Sequence, residues 1–544
     1  MEMTSNFIKS IIEDDLESGR VTSVITRFPP EPNAYLHIGH ARAIITNFEL
    51  AKMFGGKTNL RFDDTNPVKE DASYVEAIKE DIKWLGYEPA NVFFGSDYFE
   101  KSYELAVLLI KKGLAFVCEL SAEDVSKSRG TLTEPGSESP YRNRPVAENL
   151  RLFAEMREGK YQDGEMTLRA KIDMASPNIN MRDPVIYRII HITHHNTGDK
   201  WCIYPMYDFA HPLQDAIEGV THSLCSLEYV DHRPLYDWFI ENCETEHIPH
   251  QYEFGRLNIT NTIMSKRYLK QLVDLKAVIG YDDPRMPTLT GLRRRGYTPE
   301  AIRAFVLGTG LSRINSTVSS EMLEDALRND LLGKTKRLYA VLDPLKVTIT
   351  NYLADEPETI IARNNPDNED LGERTLHFGR HLYIERSDFS PEIPDKDWRR
   401  LSPGLEVRLM NAYFIRCDKA ICDETGFIRE IECTYDPLTK SGSGFKDRKP
   451  NGTIHYVCAD TAISATFNLF EPLLVDSDAD RPLLERLNPN SWKKVTGMVE
   501  NHLMDARPGD KFQFVRNGYY AVDHASSIGQ LVFNRIVELK SRFK

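Results

Sequence analysis

The sequence predicts an α/β body built on a parallel sheet, then a helical stretch, then antiparallel β-barrels, and three observations carry that expectation. Strand, turn and helix alternate across residues 21–85; the pattern loosens between Phe99 and Cys202; and after Lys334 short β-rich runs separated by turn residues take over. A β-α-β-α order favours a parallel sheet whose ligands bind at the carboxyl ends of its strands, whereas many short strands punctuated by turns favour barrels.

Val21 to Phe28 is rich in β-branched residues and runs into Pro29-Pro30-Glu31-Pro32, so it reads as a strand ending in a turn. From His40 the residues Ala41, Ile44, Ile45, Phe48 and Ala51 recur at helical spacing until Gly55-Gly56 closes the segment. Thr58 to Phe62 forms a second strand ending at Asp63-Asp64-Thr65-Asn66-Pro67, and Tyr74, Ile78, Ile82 and Leu85 mark the next helix. Between Phe99 and Cys202 helices, turns and the Gly/Pro/Ser-rich stretch Thr133 to Pro140 read as an inserted domain, with the sheet resuming near Trp201. Asp283 to Leu332 reads as helical, with Thr298-Pro299-Glu300 as a helix start. Glu406 to Cys417, Gly426 to Tyr435, Thr453 to Cys458, Lys511 to Val515 and Gly518 to Val522 are the clearest barrel strands.

A chain of 544 residues exceeds what one hydrophobic core usually supports, so three to five packed units are expected. With 41% hydrophobic and 27% charged residues and no long apolar run, the composition is that of a globular chain that does not span a bilayer. Met1 to Arg20 reads as a short amphipathic helix without the apolar core of a signal peptide, which makes the cytosol the default compartment. Eight cysteines without a Cys-x-x-Cys or a Cys/His cluster argue against a disulfide framework and against a structural metal. The net charge of -13 opposes indiscriminate polyanion binding, so any nucleic-acid contact rests on local basic groups such as Arg293-Arg294-Arg295, Lys334 with Lys336 and Arg337, or Arg399-Arg400 with Arg408. Each of these alone reads equally as a solvated face.

Two constellations carry chemistry. Leu36-His37-Ile38-Gly39-His40 stands where a strand-turn meets a helix, and a helix N-terminus offers unpaired N–H groups and a partial positive charge to a phosphate while two imidazoles add donors. Ile263-Met264-Ser265-Lys266-Arg267 presents a lysine and a serine that could stabilise charge on a reacting triphosphate. Alone, the first is also an ordinary helix cap and the second an exposed basic loop. Their occurrence together, in this order and about 220 residues apart, is what gives them meaning.

The two motifs are similar to the HIGH and KMSKS signatures of class I aminoacyl-tRNA synthetases. Arg27-Phe28-Pro29-Pro30-Glu31-Pro32-Asn33, Leu60-Arg61-Phe62-Asp63-Asp64-Thr65-Asn66-Pro67 and Tyr204-Pro205-Met206-Tyr207-Asp208-Phe209 resemble the glutaminyl branch of that family, as do Glu406-Val407-Arg408-Leu409 and Gly452-Thr453-Ile454-His455 further on. The resemblance implies an α/β Rossmann-like catalytic domain in two halves (residues 1–98, with the N-terminal helix, and 203–260). It further implies an inserted acceptor-stem-binding domain at 99–202, a KMSKS-type loop with a helical connecting domain at 261–333, and two anticodon-binding β-barrels at 334–544.

It also implies site residues. Arg27 would pair with the amino acid's carboxylate, Asp63 and Tyr207 would hold its ammonium, and His211 and Cys225 would line the side-chain pocket. ATP, with Mg2+, would be surrounded by Glu31, Pro32, Asn33, His37, Gly39, His40, Ala41, Arg42 and Ala43, with Ser226, Arg256, Leu257, Met264, Ser265 and Lys266. His37, His40 and Lys266 would be catalytic. Asp231 would touch the acceptor stem of the tRNA, and Arg337, Arg400, Arg408 and Arg516 the anticodon. The sequence departs from the pattern at Ala34, where glycine is usual, at Met410, where a relative has arginine, and at Asp397-Trp398.

The amino acid itself turns on the pocket. A buried glutamate side chain needs a nearby cation, and glutamyl relatives of the archaeal and eukaryotic type carry arginine where this chain has Cys225, so the neutral thiol favours glutamine. The expected partners are therefore tRNA-Gln, L-glutamine and ATP, with the chain acting as a monomer. A glutamyl enzyme of the related subgroup and a non-catalytic RNA-binding paralogue are the alternatives.

Overall fold

The computed structural model describes residues 3, 5–68, 72–475 and 481–540. The chain divides into two compact units, Met1–Asn258 with Arg303–Val318, and Ile259–Ile302 with Ser319–Lys544. Met1, Glu2 and Thr4, at the start of the expected N-terminal helix, and the last four residues of the expected barrel region lie outside the described residues.

In the first unit the strand Ile25–Phe28 pairs in parallel with Lys57–Phe62, which pairs in parallel with Val92–Phe94. A second parallel pair, His222–Ser226 with His250–Phe254, lies on the other side of the first strand. Thr221 fastens it there: its N–H donates to Ile25 O (2.9 Å) and its hydroxyl accepts from Ile25 N–H (2.8 Å). The strand order therefore reverses between Ile25–Phe28 and His222–Ser226, and such a switch point opens a crevice at the carboxyl ends of the strands. Gly56 is required at the entry to the second strand, because a Cβ there would come 2.1 Å from Val24 O.

The helix Ile38–Met53 buries Ala41, Ile44, Ile45, Phe48 and Ala51, the residues whose spacing predicted it. Its start is two residues earlier than the apolar spacing indicated, because His37 supplies the cap. The N-terminal helix Phe7–Glu17 is capped by the Asn6 side chain, which accepts from Ile8 and Lys9 N–H. Its Ile8 and Ile12 are buried with Val24, Leu50, Leu224 and Phe254 against the parallel strands.

Between the two halves of that sheet stands a four-stranded antiparallel sheet, Ala115–Cys118, Thr167–Ala170, Val185–Ile189 and Ile203–Pro205, with the helices Phe99–Lys111 and Val146–Arg157. The expectation that the parallel sheet resumes near Trp201 is corrected here. Ile203–Pro205 is the fourth antiparallel strand, and the parallel sheet resumes only at His222 after the helix Tyr207–Ile217. Trp201, Ile203 and Tyr204 are buried with Phe99, Phe153 and Tyr187, so the apolar burial they share with a core strand belongs to the inserted layer.

The second unit carries two seven-stranded sheets. Each is mixed, which corrects the expectation of purely antiparallel barrels: Pro344–Ile349 runs parallel to Ile428–Asp436, and Ile463–Phe470 runs parallel to Leu531–Val537. The reason is chain routing. Lys336–Leu338 joins Lys511–Phe514, and Ala340–Val341 joins Trp492–Val499, so the chain lays two short strands in the sheet that its last strands complete, builds the other sheet, and then returns. Period-2 patterning reports which face of a strand is buried and is blind to strand direction. The basic run Arg293-Arg294-Arg295 is spent inside this unit, where Arg294 pairs with Asp523 (3.0 Å) and Asp282 (3.0 Å) and Arg295 donates to Arg535 O (3.2 Å).

His455 sits in this barrel region with no exposed surface, donating from Nε2 to Ala340 O (2.8 Å) while Nδ1 faces the Arg516 guanidinium (3.3 Å). Burial, reinforced by that guanidinium, pushes its pKa down to about 4. The ring is thus neutral when folded and takes a proton near pH ~6.5 when unfolded, so its contribution to stability is complete above that pH and is lost as the pH falls towards 4. Thermal unfolding at pH 7 and pH 5 should show a drop in Tm that His455→Gln reduces.

Candidate active site

Pro29 and Pro30 end the first strand and turn the chain across the crevice towards the helix Ile38–Met53. At the helix start the two histidines cap each other's turn: His37 Nδ1 accepts from Gly39 N–H (3.1 Å) and His40 Nδ1 accepts from His37 N–H (3.1 Å), with ring centroids 3.9 Å apart. An imidazole whose Nδ1 accepts carries its proton on Nε2 when neutral, so both rings present an Nε2–H beside the helix N-terminus. The capping alternative and the functional one are therefore compatible, since the cap is what fixes the tautomer. Glu31 and Asn33 are joined by a hydrogen bond from the amide to the carboxylate. Ala41 and Arg42 are buried within the fold, Arg42 donating to Thr309 Oγ1 (3.1 Å) and Gly310 O (3.0 Å), so the helix start, rather than these side chains, faces the crevice. Ala43 lies along the same helix beside the cluster formed by the N-terminal helix.

The crevice floor is a buried charge network in which the expected Arg27 and His211 meet Arg61, Asp215, Ser223 and Tyr236, which were not expected there. Arg27, Arg61 and Asp215 are all 0% exposed. Asp215 Oδ1 accepts from Arg27 Nε (3.1 Å) and Arg61 Nη2 (2.7 Å), and its Oδ2 accepts from Ser223 Oγ (2.6 Å) and Tyr236 OH (2.9 Å). Arg61 Nη1 also donates to Glu218 (3.1 Å). Arg27 spends further N–H groups on Leu224 O (2.8 Å), Ser223 Oγ (2.6 Å) and His211 Nε2 (2.7 Å). Burial alone would raise the Asp215 carboxyl, yet the two guanidinium groups hold it far below the usual carboxylate range. His211 is pushed well below its ordinary value by burial, with the adjacent Arg27 and Arg61 adding to the effect. It is a neutral ring between two fixed cations.

Above that floor, Tyr207 opens the helix Tyr207–Ile217, stacks on His211 (4.9 Å between centroids, 18° between planes) and meets Tyr229 at 5.3 Å. Burial raises its phenol well above the ordinary value. Cys225 Sγ lies 3.5 Å from Arg27 Nη2 and 4.0 Å from His211 Nε2, and burial raises its thiol, so a neutral SH faces the network. Asp63 follows the second strand; its Oδ1 accepts from Thr65 Oγ1 (2.8 Å), and burial raises its carboxyl. Ser226 Oγ and Arg256 both bond Glu228 (2.9 and 3.2 Å), and Leu257 is buried. Asp231 lends its backbone carbonyl to Asn178 (2.7 Å) and Asn180 (3.2 Å) of the inserted segment.

Among the described residues, the His/Cys/Asp/Glu group with ligand atoms close enough for a metal is Asp64, His194 and His195, within 4.8 Å of one another. His194 does not suit that role: Nε2 bonds the Asp64 carbonyl (2.7 Å) and Nδ1 accepts from Asn196 and Thr197 N–H (3.1 and 3.2 Å), which uses both nitrogens.

The remaining expected residues belong to the second unit. Met264 precedes Ser265, the N-cap of the helix Lys266–Asp274, and Lys266 is exposed at its first position. Leu269 and Leu272 anchor that helix against Leu473, Leu474 and Leu483. Arg516, at φ 67°, and Arg400 share Asp388, with Arg516 bidentate at 2.6 Å and Arg400 at 3.4 Å. Arg337 pairs with Asp367. Arg408 lies over the Phe414 ring (4.2 Å) and donates to Thr439 O (3.1 Å) and Ser441 Oγ (3.0 Å), neutral acceptors that leave its charge unbalanced. Met410 packs against the barrel core, and Trp398 lies beside Arg400 (5.7 Å).

Of Asp215, Arg61, Ser223 and Tyr236, only Asp215 carries a signal in the sequence, one helical turn after His211; Arg61 stands in a strand that already holds Lys57, Thr58 and Asn59, where a further polar residue does not stand out. That signal does not indicate that the groups meet. Removing one partner of a buried ion network destabilises by about 3 to 5 kcal/mol, so Asp215→Asn should lower the unfolding free energy by that order in urea denaturation, with the loss unrelieved by high salt.

Models of class I (E and Q) tRNA synthetases match the chain in three parts: the catalytic domain over residues 23–332 and anticodon-binding domains over 335–436 and 453–523. A protein of Clostridium perfringens named glutamine–tRNA ligase is 59% identical, covering 100% of this chain and 99% of its own. Proteins of the same name from Clostridium kluyveri and Clostridioides difficile are 59% and 58% identical, each covering 99% of this chain and 98% of its own. Its catalytic-domain match takes in the whole switch-point crevice, its anticodon-domain matches fall on the mixed sheets, and the chain belongs to the class I tRNA synthetases of the E and Q group.

Proposed function

We propose that the chain is a glutamine–tRNA ligase, which joins glutamine to ATP as glutaminyl adenylate and transfers the acyl group to the terminal ribose 2′-hydroxyl of tRNA-Gln. The observation that carries the choice of amino acid is the charge balance of the crevice floor. Arg27 and Arg61 are matched by Asp215 and Glu218, His211 is neutral, and Cys225 is a thiol. A glutamate side chain would enter without a cation of its own, whereas an amide needs only hydrogen-bonding partners. The names of the relatives support the same reading.

In this reading Asp63 and Tyr207 hold the ammonium, and Arg27 pairs with the carboxylate, which requires it to give up part of the internal hydrogen bonding that keeps it fully buried in this structure. The substrate carboxylate attacks the α-phosphorus of Mg-ATP, and pyrophosphate leaves. His37 and His40, as Nε2–H donors at a helix N-terminus, stabilise the charge on the phosphates, with Glu31, Pro32, Asn33, Gly39, Ser226, Arg256 and Leu257 surrounding the nucleotide. Met264, Ser265 and Lys266 supply the mobile cation, a role that rests on their motif. The ribose hydroxyl then attacks the adenylate carbonyl and AMP leaves. The inserted domain and Asp231 take the acceptor end, and Arg337, Arg400, Arg408 and Arg516 take the anticodon, where single-stranded bases can be splayed and stacked.

Purified enzyme should charge tRNA-Gln with labelled glutamine and leave tRNA-Glu with labelled glutamate uncharged; glutamate charging would overturn the reading. Lys266→Ala should slow single-turnover adenylate formation by about 10²-fold or more, with tRNA affinity in a filter-binding assay little changed. Cys225→Arg should lower glutamine use and raise glutamate use, shifting the ratio of the two kcat/KM values by about tenfold or more.

A further inference from the structure

We infer that His194 is a positioning residue for the amino-acid site: reaching out of the inserted sheet, it clamps the backbone of Asp64 and so fixes the Asp63 carboxylate. This rests on the proposal that Asp63 binds the substrate ammonium.

His194 lies in the connection between the strands Val185–Ile189 and Ile203–Pro205 and is 1% exposed. Its Nδ1 accepts two backbone N–H groups, from Asn196 (3.1 Å) and Thr197 (3.2 Å), which obliges a neutral ring to carry its proton on Nε2. That N–H donates to the carbonyl of Asp64 at 2.7 Å. The ring is held edge-on by Phe99 (5.4 Å, 78°) and stacked by Tyr204 (5.9 Å, 17°), both part of the inserted core.

The other side of Asp64 is held just as firmly. Its Oδ1 accepts from Ser96 N–H (2.7 Å) and its Oδ2 from Ser96 Oγ (2.6 Å), with His195 Nε2 at 3.1 Å. Asn196, from the same connection, donates to Ser96 Oγ (2.9 Å). Asp63, one residue earlier, donates its N–H to Pro30 O (3.0 Å), and Thr65 fixes one of its carboxylate oxygens. The segment Asp63–Asp64 is therefore held at the Asp63 N–H by the strand-end turn and at the Asp64 carbonyl by the inserted domain. A carboxylate recognising an ammonium must be placed to within about 0.5 Å. Much of that placement is delegated to a residue about 130 positions away in sequence.

The test is steady-state charging of tRNA-Gln by the wild type, His194→Ala and His194→Gln, with KM measured separately for glutamine, ATP and tRNA, and Tm measured alongside. His194→Ala should raise the glutamine KM by about tenfold or more with the ATP and tRNA values within about twofold and kcat less affected. His194→Gln, whose amide N–H can meet the same carbonyl, should recover part of that loss. An unchanged glutamine KM, or three KM values rising together with a falling Tm, would overturn the inference. If His194→Ala does not fold, His194→Phe, which keeps a ring between Phe99 and Tyr204 but has no N–H for the Asp64 carbonyl, is read by the same criterion. A wild type that charges no glutamine would instead overturn the functional proposal, so the two failures are distinguishable.

Discussion

The Arg27–Asp215–Arg61 arrangement is the constraint on which the crevice depends. Two guanidinium groups and one carboxylate without solvent are tolerable only if their donors and acceptors are paired, because a lone buried charge is strongly unfavourable. The pairing draws on five parts of the first unit: Arg27 from the first strand, Arg61 from the second, Asp215 from the helix Tyr207–Ile217, Ser223 with the Leu224 carbonyl from the strand His222–Ser226, and Tyr236 from the helix Arg233–Asn242. The two arginine-bearing strands lie more than 150 positions from Asp215, so the network specifies how the two halves of the parallel sheet meet. It also sets the electrostatics felt by a ligand above it: His211 is kept neutral and no cation is left in surplus for an acidic side chain.

At the mouth of the crevice the chemistry is made by ordinary helix capping. His37 and His40 satisfy backbone N–H groups with Nδ1, and that use of Nδ1 determines that Nε2 carries the proton. One hydrogen-bond pattern therefore both starts the helix and prepares two donors for a polyanion. The cap that the structure shows and the phosphate site that is proposed here would use one and the same geometry.

The inserted sheet is tied to the strand ends as well as placed between them. Through His194, Asn196 and Ser96 it reaches the loop that follows the second strand, and through Asn178 and Asn180 it reaches Asp231. An insertion that would bind the acceptor end of the tRNA thus shares hydrogen bonds with the loop that would bind the amino acid.

The sequence by itself determined the alternation of strands and helices, the turn at Pro29-Pro30, the histidine pair at a helix start, the loop with Lys266, and the β-rich second half. Each of these is written in local periodicity, in turn chemistry or in a short motif, and the family resemblance rests on the same short segments. Only the tertiary structure decided the rest. It assigned Ile203–Pro205 to the inserted sheet, because a short apolar run does not state which sheet it joins. It made the barrels mixed, because burial patterns do not record strand direction. It brought Arg61, Asp215, Ser223 and Tyr236 together under the pocket and His194 onto Asp64, since a buried polar residue is recognisable only by its partner, and Arg61 lies 154 positions from Asp215 and His194 130 from Asp64.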